Sequence, residues 1–93
     1  MRHAAPVAPD LVLRRFGRCF AEIRVARGLT QERLAERARV SVRYVQMIES
    51  GGENLSILVA ARFSNLLQVP LAELFSLPAG KPTRIVTKQR RPK

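Results

Sequence analysis

Arg43 and Gln46 stand three residues apart in a stretch, residues 42–50, that reads as a short helix. A guanidinium donates hydrogen bonds in a rigid fork, and a carboxamide donates and accepts side by side. Such groups suit the reading of hydrogen-bonding edges. Val45 and Ile48 form the inward stripe of the same helix, which leaves Val42, Arg43, Gln46 and Met47 outside. Water gives no reason for an exposed valine and methionine beside the two polar side chains. A surface carrying both methyl groups and polar edges, such as the major groove of DNA, does.

Groups arranged for catalysis do not occur in the pattern. The one histidine, His3, lies in an N-terminal arm, and the seven acids are scattered at surface helical positions. Cys19 falls beside Phe16, Phe20 and Ile23 in a helical pattern and reads as a small, partly buried hydrophobe. A single cysteine excludes an internal disulfide and a cysteine-based zinc site. With no glycine-rich phosphate loop and no metal-ligand cluster, neither enzyme activity nor a cofactor nor a metal is expected.

The outward segment needs a scaffold, and the spacing supplies one. Residues 9–27 form a first helix, with Asp10 near its positive end and Phe16, Phe20, Ile23 and Ala26 toward the core. Gly28 stops it. Thr30 is placed to cap a second helix, residues 31–38, whose Leu34, Ala35 and Ala38 share a face. Ser41 caps the third, residues 42–50, and Gly51 ends it in a left-handed conformation. Ser56 caps a fourth, reaching about Leu67, with Ile57, Ala60, Ala61, Phe63, Ser64 and Leu67 inward. Pro70 suits the first turn of a short last helix, residues 71–76. The expected fold is therefore all-α, a compact five-helix domain over residues 9–77. It lies between an arm, residues 1–8, and a basic tail, residues 78–93.

Ninety-three residues make one small domain, near the size where single domains become marginal. No run approaches the roughly 18 apolar residues of a membrane span. The opening MRHAAPVAPD lacks an apolar secretion core, so a cytoplasmic location is expected. The net charge of +10 points to a polyanionic partner. It is unevenly spread. Between Asp10 and Phe75 ten arginines face seven acids, whereas residues 81–93 carry six basic groups and no acid.

The residues Ile23-Arg24, Gly28-Leu29-Thr30-Gln31, Leu34-Ala35, Val40-Ser41, Val45, Ile48-Glu49, Gly51, Asn54, Ser56, Leu67, Val69 and Leu71 through Phe75 resemble the phage-repressor/Cro-like helix-turn-helix family. That family is also called the xenobiotic-response-element family. The resemblance spans about Phe16 to Phe75. It implies a DNA-binding transcriptional regulator, with Val42, Arg43, Gln46 and Met47 at base-reading positions. Arg43 can donate twice to guanine, Gln46 can pair with adenine, and Val42 and Met47 can meet a thymine methyl. Gln31 matches the family's glutamine that grips the DNA backbone, at a helix N-terminus suited to phosphate. Ser41 is a second backbone candidate. Tyr44, nearer the flank, serves either phosphate contact or packing. Arg24 and Glu49 match a family ion pair that ties the first helix to the end of the third. Arg14, Arg15, Arg18, Arg33, Arg37 and Arg39 are divided between backbone contact and solvated surface.

Three departures bear on these expectations. Arg39 stands where relatives carry glycine in the turn after the second helix. A left-handed backbone there costs about 1–2 kcal/mol, so a slightly different turn is expected. The loop Gly52-Glu53-Asn54-Leu55 lacks the family's basic residue and proline, leaving backbone N–H groups and Asn54 to meet DNA, or placing the loop further back. Leu58, Val59 and Leu66 form a second apolar face on the fourth helix. With Leu55 and the last-helix region they suggest a two-fold homodimer contact; the alternatives are a wider core stripe or cover by the tail. The tail reads as a disordered arm adding salt-dependent affinity, or as a strand, residues 83–87, paired across a dimer. The expected function is a regulator bound as a dimer to palindromic double-stranded DNA. The alternative is an antitoxin-type module that engages a partner protein and controls its own operon.

Overall fold

Thr30, Ser41 and Ser56 each turn a hydroxyl oxygen back onto the N–H three residues ahead. The acceptor distances are 3.0 Å to Arg33, 3.0 Å to Tyr44 and 3.1 Å to Val59. Each cap satisfies a donor that the first helical turn would leave without a partner. The computed structural model describes residues 8–76. Its elements are α1 (Pro9–Ala26), α2 (Gln31–Ala38), α3 (Val42–Ser50), α4 (Ile57–Leu67) and α5 (Leu71–Leu74). The middle three coincide with the spacing-based expectation at both ends. The last is shorter than expected. Phe75 and Ser76 donate to Ala72 and Glu73, three residues back, so the final turn tightens out of α geometry. Pro70 stands just ahead of α5 rather than inside its first turn. Residues 1–7 of the N-terminal arm and the basic tail lie outside the described residues.

Four helices end in one way. Gly28, Arg39, Gly51 and Gln68 take φ of 73°, 61°, 84° and 60°. The next residue in each case, Leu29, Val40, Gly52 or Val69, donates back across the turn to Arg24, Ala35, Met47 or Ser64. This six-to-one bond closes a Schellman motif. Leu29, Val40 and Val69 then tuck against the core. Helix stop and core packing are thus one event, strong enough to hold Arg39 and Gln68 left-handed without glycine. The turn between α2 and α3 therefore keeps its left-handed residue.

The core is built from Phe16 and Phe20 of α1, Leu34, Ala35 and Ala38 of α2, Val45 and Ile48 of α3, Ala60, Phe63 and Leu67 of α4, and Leu74 of α5. Phe20 meets Phe63 edge-on at 5.0 Å between ring centres, a favoured aromatic geometry. Two expected core residues are not inside. Ala26 is exposed because α1 runs one turn beyond the core before stopping. Ile57 is 73% exposed because the inward stripe of α4 begins only at Ala60. Conversely, Leu55, Val59 and Leu66 are half-buried against the core, which is the wider-stripe alternative, and Leu58 alone of that set stands out.

Arginines also close two of these same helix ends. Arg27 Nε donates to the Leu67 carbonyl at 2.7 Å, and its Nη2 to Gln68 at 3.1 Å. Arg62 Nη2 donates to the Ala38 carbonyl at 2.8 Å. Each brings positive charge to the negative end of another helix. Relieving the left-handed arginine is expected to help the fold. Arg39→Gly removes about 1–2 kcal/mol of strain and gives back about 0.4–1 kcal/mol through the unfolded chain. A net gain between about 0 and 1.6 kcal/mol should therefore appear in urea unfolding, and a loss would contradict the strain.

Candidate nucleic-acid interface

The reach of α3 depends on how closely its far side meets α1. A Cβ added at Gly17 would lie 2.4 Å from the Ile48 carbonyl oxygen and 2.6 Å from that of Glu49. One added at Gly51 would lie 2.6 Å from Arg14 Cγ. The end of α3 therefore rests on the backbone of α1, with no side chain between them. Sequence reasoning passed over Gly17. Its signal was a glycine inside a helical run, where it costs about 1 kcal/mol and so calls for a packing reason.

A charge pair locks the same junction. Arg24 Nε donates to Glu49 Oε2 at 2.6 Å and Nη2 to Oε1 at 3.1 Å, while Nη1 donates to the Leu29 carbonyl at 2.7 Å. The two side chains are only 12% and 9% exposed. A bidentate pair sets orientation as well as distance. Removing either partner would strand a charge, at about 3–5 kcal/mol.

Above that pair lie the outward side chains. Arg43 and Gln46 are exposed, and Met47 is half-buried. Val42 and Tyr44 are also half-buried and pack on the edge of the core, so Val42 is less outward than its spacing suggested. Burial, with the Glu53 carboxylate next, pushes the Tyr44 hydroxyl up, while Arg62 opposes it. Gln31, at the first position of α2, gives Nε2 to Glu49 Oε1 at 2.9 Å and faces Gln46 Nε2 at 3.5 Å through Oε1. Sequence reasoning placed these two glutamines separately; the fold brings them together. Ser41 and Asn54 are exposed. Arg33, Arg37, Arg39 and Arg18 are exposed, and Arg14 pairs with Asp10 at 3.3 Å on the surface.

Cys19 takes no part in this face. Its thiol donates to the Glu73 carbonyl at 3.1 Å. Burial first, then the Glu22 and Glu73 charges, pushes it up to about 11. Among the described residues no cluster of acids, cysteine or histidine is arranged for a metal, and no helix is long and apolar enough to cross a membrane.

A capped helix held outward across a tight turn from a second helix is the arrangement of DNA-binding helix-turn-helix proteins. The helix-turn-helix family model HTH_3 matches residues 20–74, and the chain belongs to that family of DNA-binding transcriptional regulators. Among solved structures, the restriction-modification controller protein C.AhdI from Aeromonas hydrophila is 35% identical. That match covers 68% of this chain and 96% of that one at a TM-score of 0.65. The clp gene regulator ClgR from C. glutamicum is 25% identical over 78% of this chain and 90% of that one, at 0.66. A hypothetical transcription factor, NHTF, from Neisseria shares the fold at 20% identity and 0.69, over 84% and 90% of the two chains. No curated protein matches the sequence.

The close crossing is open to test by Gly17→Ala. The added methyl must push α1 and α3 apart, at about 1–3 kcal/mol for overpacking. Both the urea midpoint and the DNA affinity of the folded protein should fall. An unchanged midpoint would mean the helices separate without cost.

Proposed function

We propose that this chain is a sequence-specific transcriptional regulator that lays α3 in the major groove. The observation that carries the reading is the pairing of a rigid inner side with a polar outer one. Gly17 and the Arg24–Glu49 pair fix the helix from behind, and Arg43 and Gln46 stand exposed on its first two turns. Val42, Arg43, Gln46 and Met47 read bases. Gln31, Ser41, Tyr44 and Asn54 lie toward the backbone, where phosphate contacts set register without carrying sequence information. The likeness to a restriction-modification controller favours a controller-type regulator.

The chain acts as a dimer, its two copies reading half-sites about 34 Å apart on a two-fold site. Ile57 and Leu58 are 73% and 74% exposed, and Ile57 borders a small apolar cavity of about 100 Å³ between α1 and α4. Val12, Leu13, Phe16, Leu55 and Phe75 are among its walls. The cavity matches one aliphatic side chain in size, and none of its lining residues is charged. Two copies of a basic protein repel except through such a face. A two-fold contact places the same patch on both copies, so Leu58 of each copy faces the cavity of the other. Leu55 contributes a wall. Val59 and Leu66, turned toward the core, support the face from beneath.

Selection from a random DNA pool should return a two-fold motif, and Arg43→Ala should relax it at one or two positions per half-site, by about 1–3 kcal/mol each. An unchanged motif would remove Arg43 from the reading set. Leu58→Glu, at a surface position where substitutions usually cost within about 0.5 kcal/mol, should leave the fold intact and shift sedimentation to the monomer. An unsubstituted chain that stays monomeric on its site would defeat the dimer, as would a substituted chain that still dimerises for this face.

A further inference from the structure

The hydrogen bonds beneath Gln46 have a direction. Arg24 can only donate, and an ionised Glu49 can only accept. Glu49 Oε1 already receives Arg24 Nη2 at 3.1 Å, and Gln31 approaches the same oxygen at 2.9 Å. Gln31 must present its amide nitrogen there, because its oxygen would meet a carboxylate. That choice turns Gln31 Oε1 toward Gln46, 3.5 Å away. Gln46 then presents Nε2 to Gln31, since the reverse orientation would set two acceptors face to face. The polarity of each amide thus follows from the buried arginine.

We propose that Gln31 is a positioning residue for base reading, and that the Arg24–Glu49–Gln31 relay fixes which way the Gln46 carboxamide faces DNA. This rests on α3 lying in the major groove. With one N–H given to Gln31, Gln46 keeps Oε1 and one N–H for a base. Adenine offers the complement, a donor at N6 beside an acceptor at N7. Guanine offers two acceptors, O6 and N7, and so confronts Oε1 with a like group. A glutamine able to rotate its amide would turn both N–H groups toward guanine; held by Gln31, this one does not. The relay therefore selects adenine over guanine. Gln31 acts from the first position of α2, and the carboxamide it restrains belongs to α3.

The test is Gln31→Met in the full chain, which keeps length and helix propensity and removes both polar groups. Its DNA motif is compared with those of the unsubstituted protein, Gln46→Ala and the double variant, after circular dichroism has matched their folds. One position per half-site should prefer adenine to guanine by about tenfold. Gln31→Met should lose most of that preference while the rest of the motif persists. The double variant should discriminate at that position no worse than Gln46→Ala alone, because the effects pass through one side chain. Uniform weakening with an unchanged motif would reduce Gln31 to a backbone contact and overturn the proposal. So would additive losses in the double variant. An unsubstituted chain that prefers no sequence would overturn the major-groove reading instead, and the relay with it. If Gln31→Met does not match the parent fold, Gln31→Ala supplies the same comparison, since it too removes the acceptor that Gln46 meets.

Discussion

The backbone contact between α1 and α3 at Gly17 is the constraint from which the other features follow. It leaves no room for a side chain. The last turn of α3 consequently has one position, set by carbonyl oxygens on a helix rather than by rotamers. Arg24 and Glu49 then fix the remaining rotation, their guanidinium and carboxylate planes matched along two hydrogen bonds. A buried pair of this kind adds little net stability relative to apolar residues of similar volume. Its value lies in orientation. A helix free to roll by a few tens of degrees would carry Arg43 and Gln46 away from any surface they were meant to match.

Charge in this chain is less available than its total suggests. Arg24, Arg27 and Arg62 all donate to main-chain carbonyls of other segments, at Leu29, Leu67 with Gln68, and Ala38. Arg27 and Arg62 serve as clamps at helix ends, where partial negative charge collects, and Arg24 holds the turn after α1. Arg18, Arg33, Arg37, Arg39 and Arg43, all exposed, are among those left on α1 to α3 and the turn after α2 for an anionic partner. One residue type thus does two jobs, separated by whether the fork meets a carbonyl or water.

Local signals made the helix boundaries legible. Thr30, Ser41 and Ser56 act within three residues of themselves, so their spacing already encodes where helices begin. The inward stripes of α2 and α3 were legible for the same reason. Ile57 was misplaced because periodicity gives direction without saying where the neighbouring surface ends, and Ala26 shows this at the other end of a helix. The reading of Arg39 foresaw the strain but not its outcome, because the compensating contact is Val40 against the core. The meeting of Gln31 with Glu49 and Gln46 was not readable at all. These residues are 18 and 15 positions apart, and only the crossing angle of α2 and α3 joins them. The family resemblance supplied candidate roles for each residue singly, without the bonds between them.

The thiol of Cys19 bridges the first helix to the last by its hydrogen bond to the Glu73 carbonyl. Reagents that attack sulfur require the thiolate, and burial keeps this group protonated far above neutral pH. Alkylation should therefore be slow while α5 is docked, and faster when it lifts away and water enters. The single sulfur is thereby a built-in gauge of how often the C-terminal end of the core opens, a local event distinct from global unfolding.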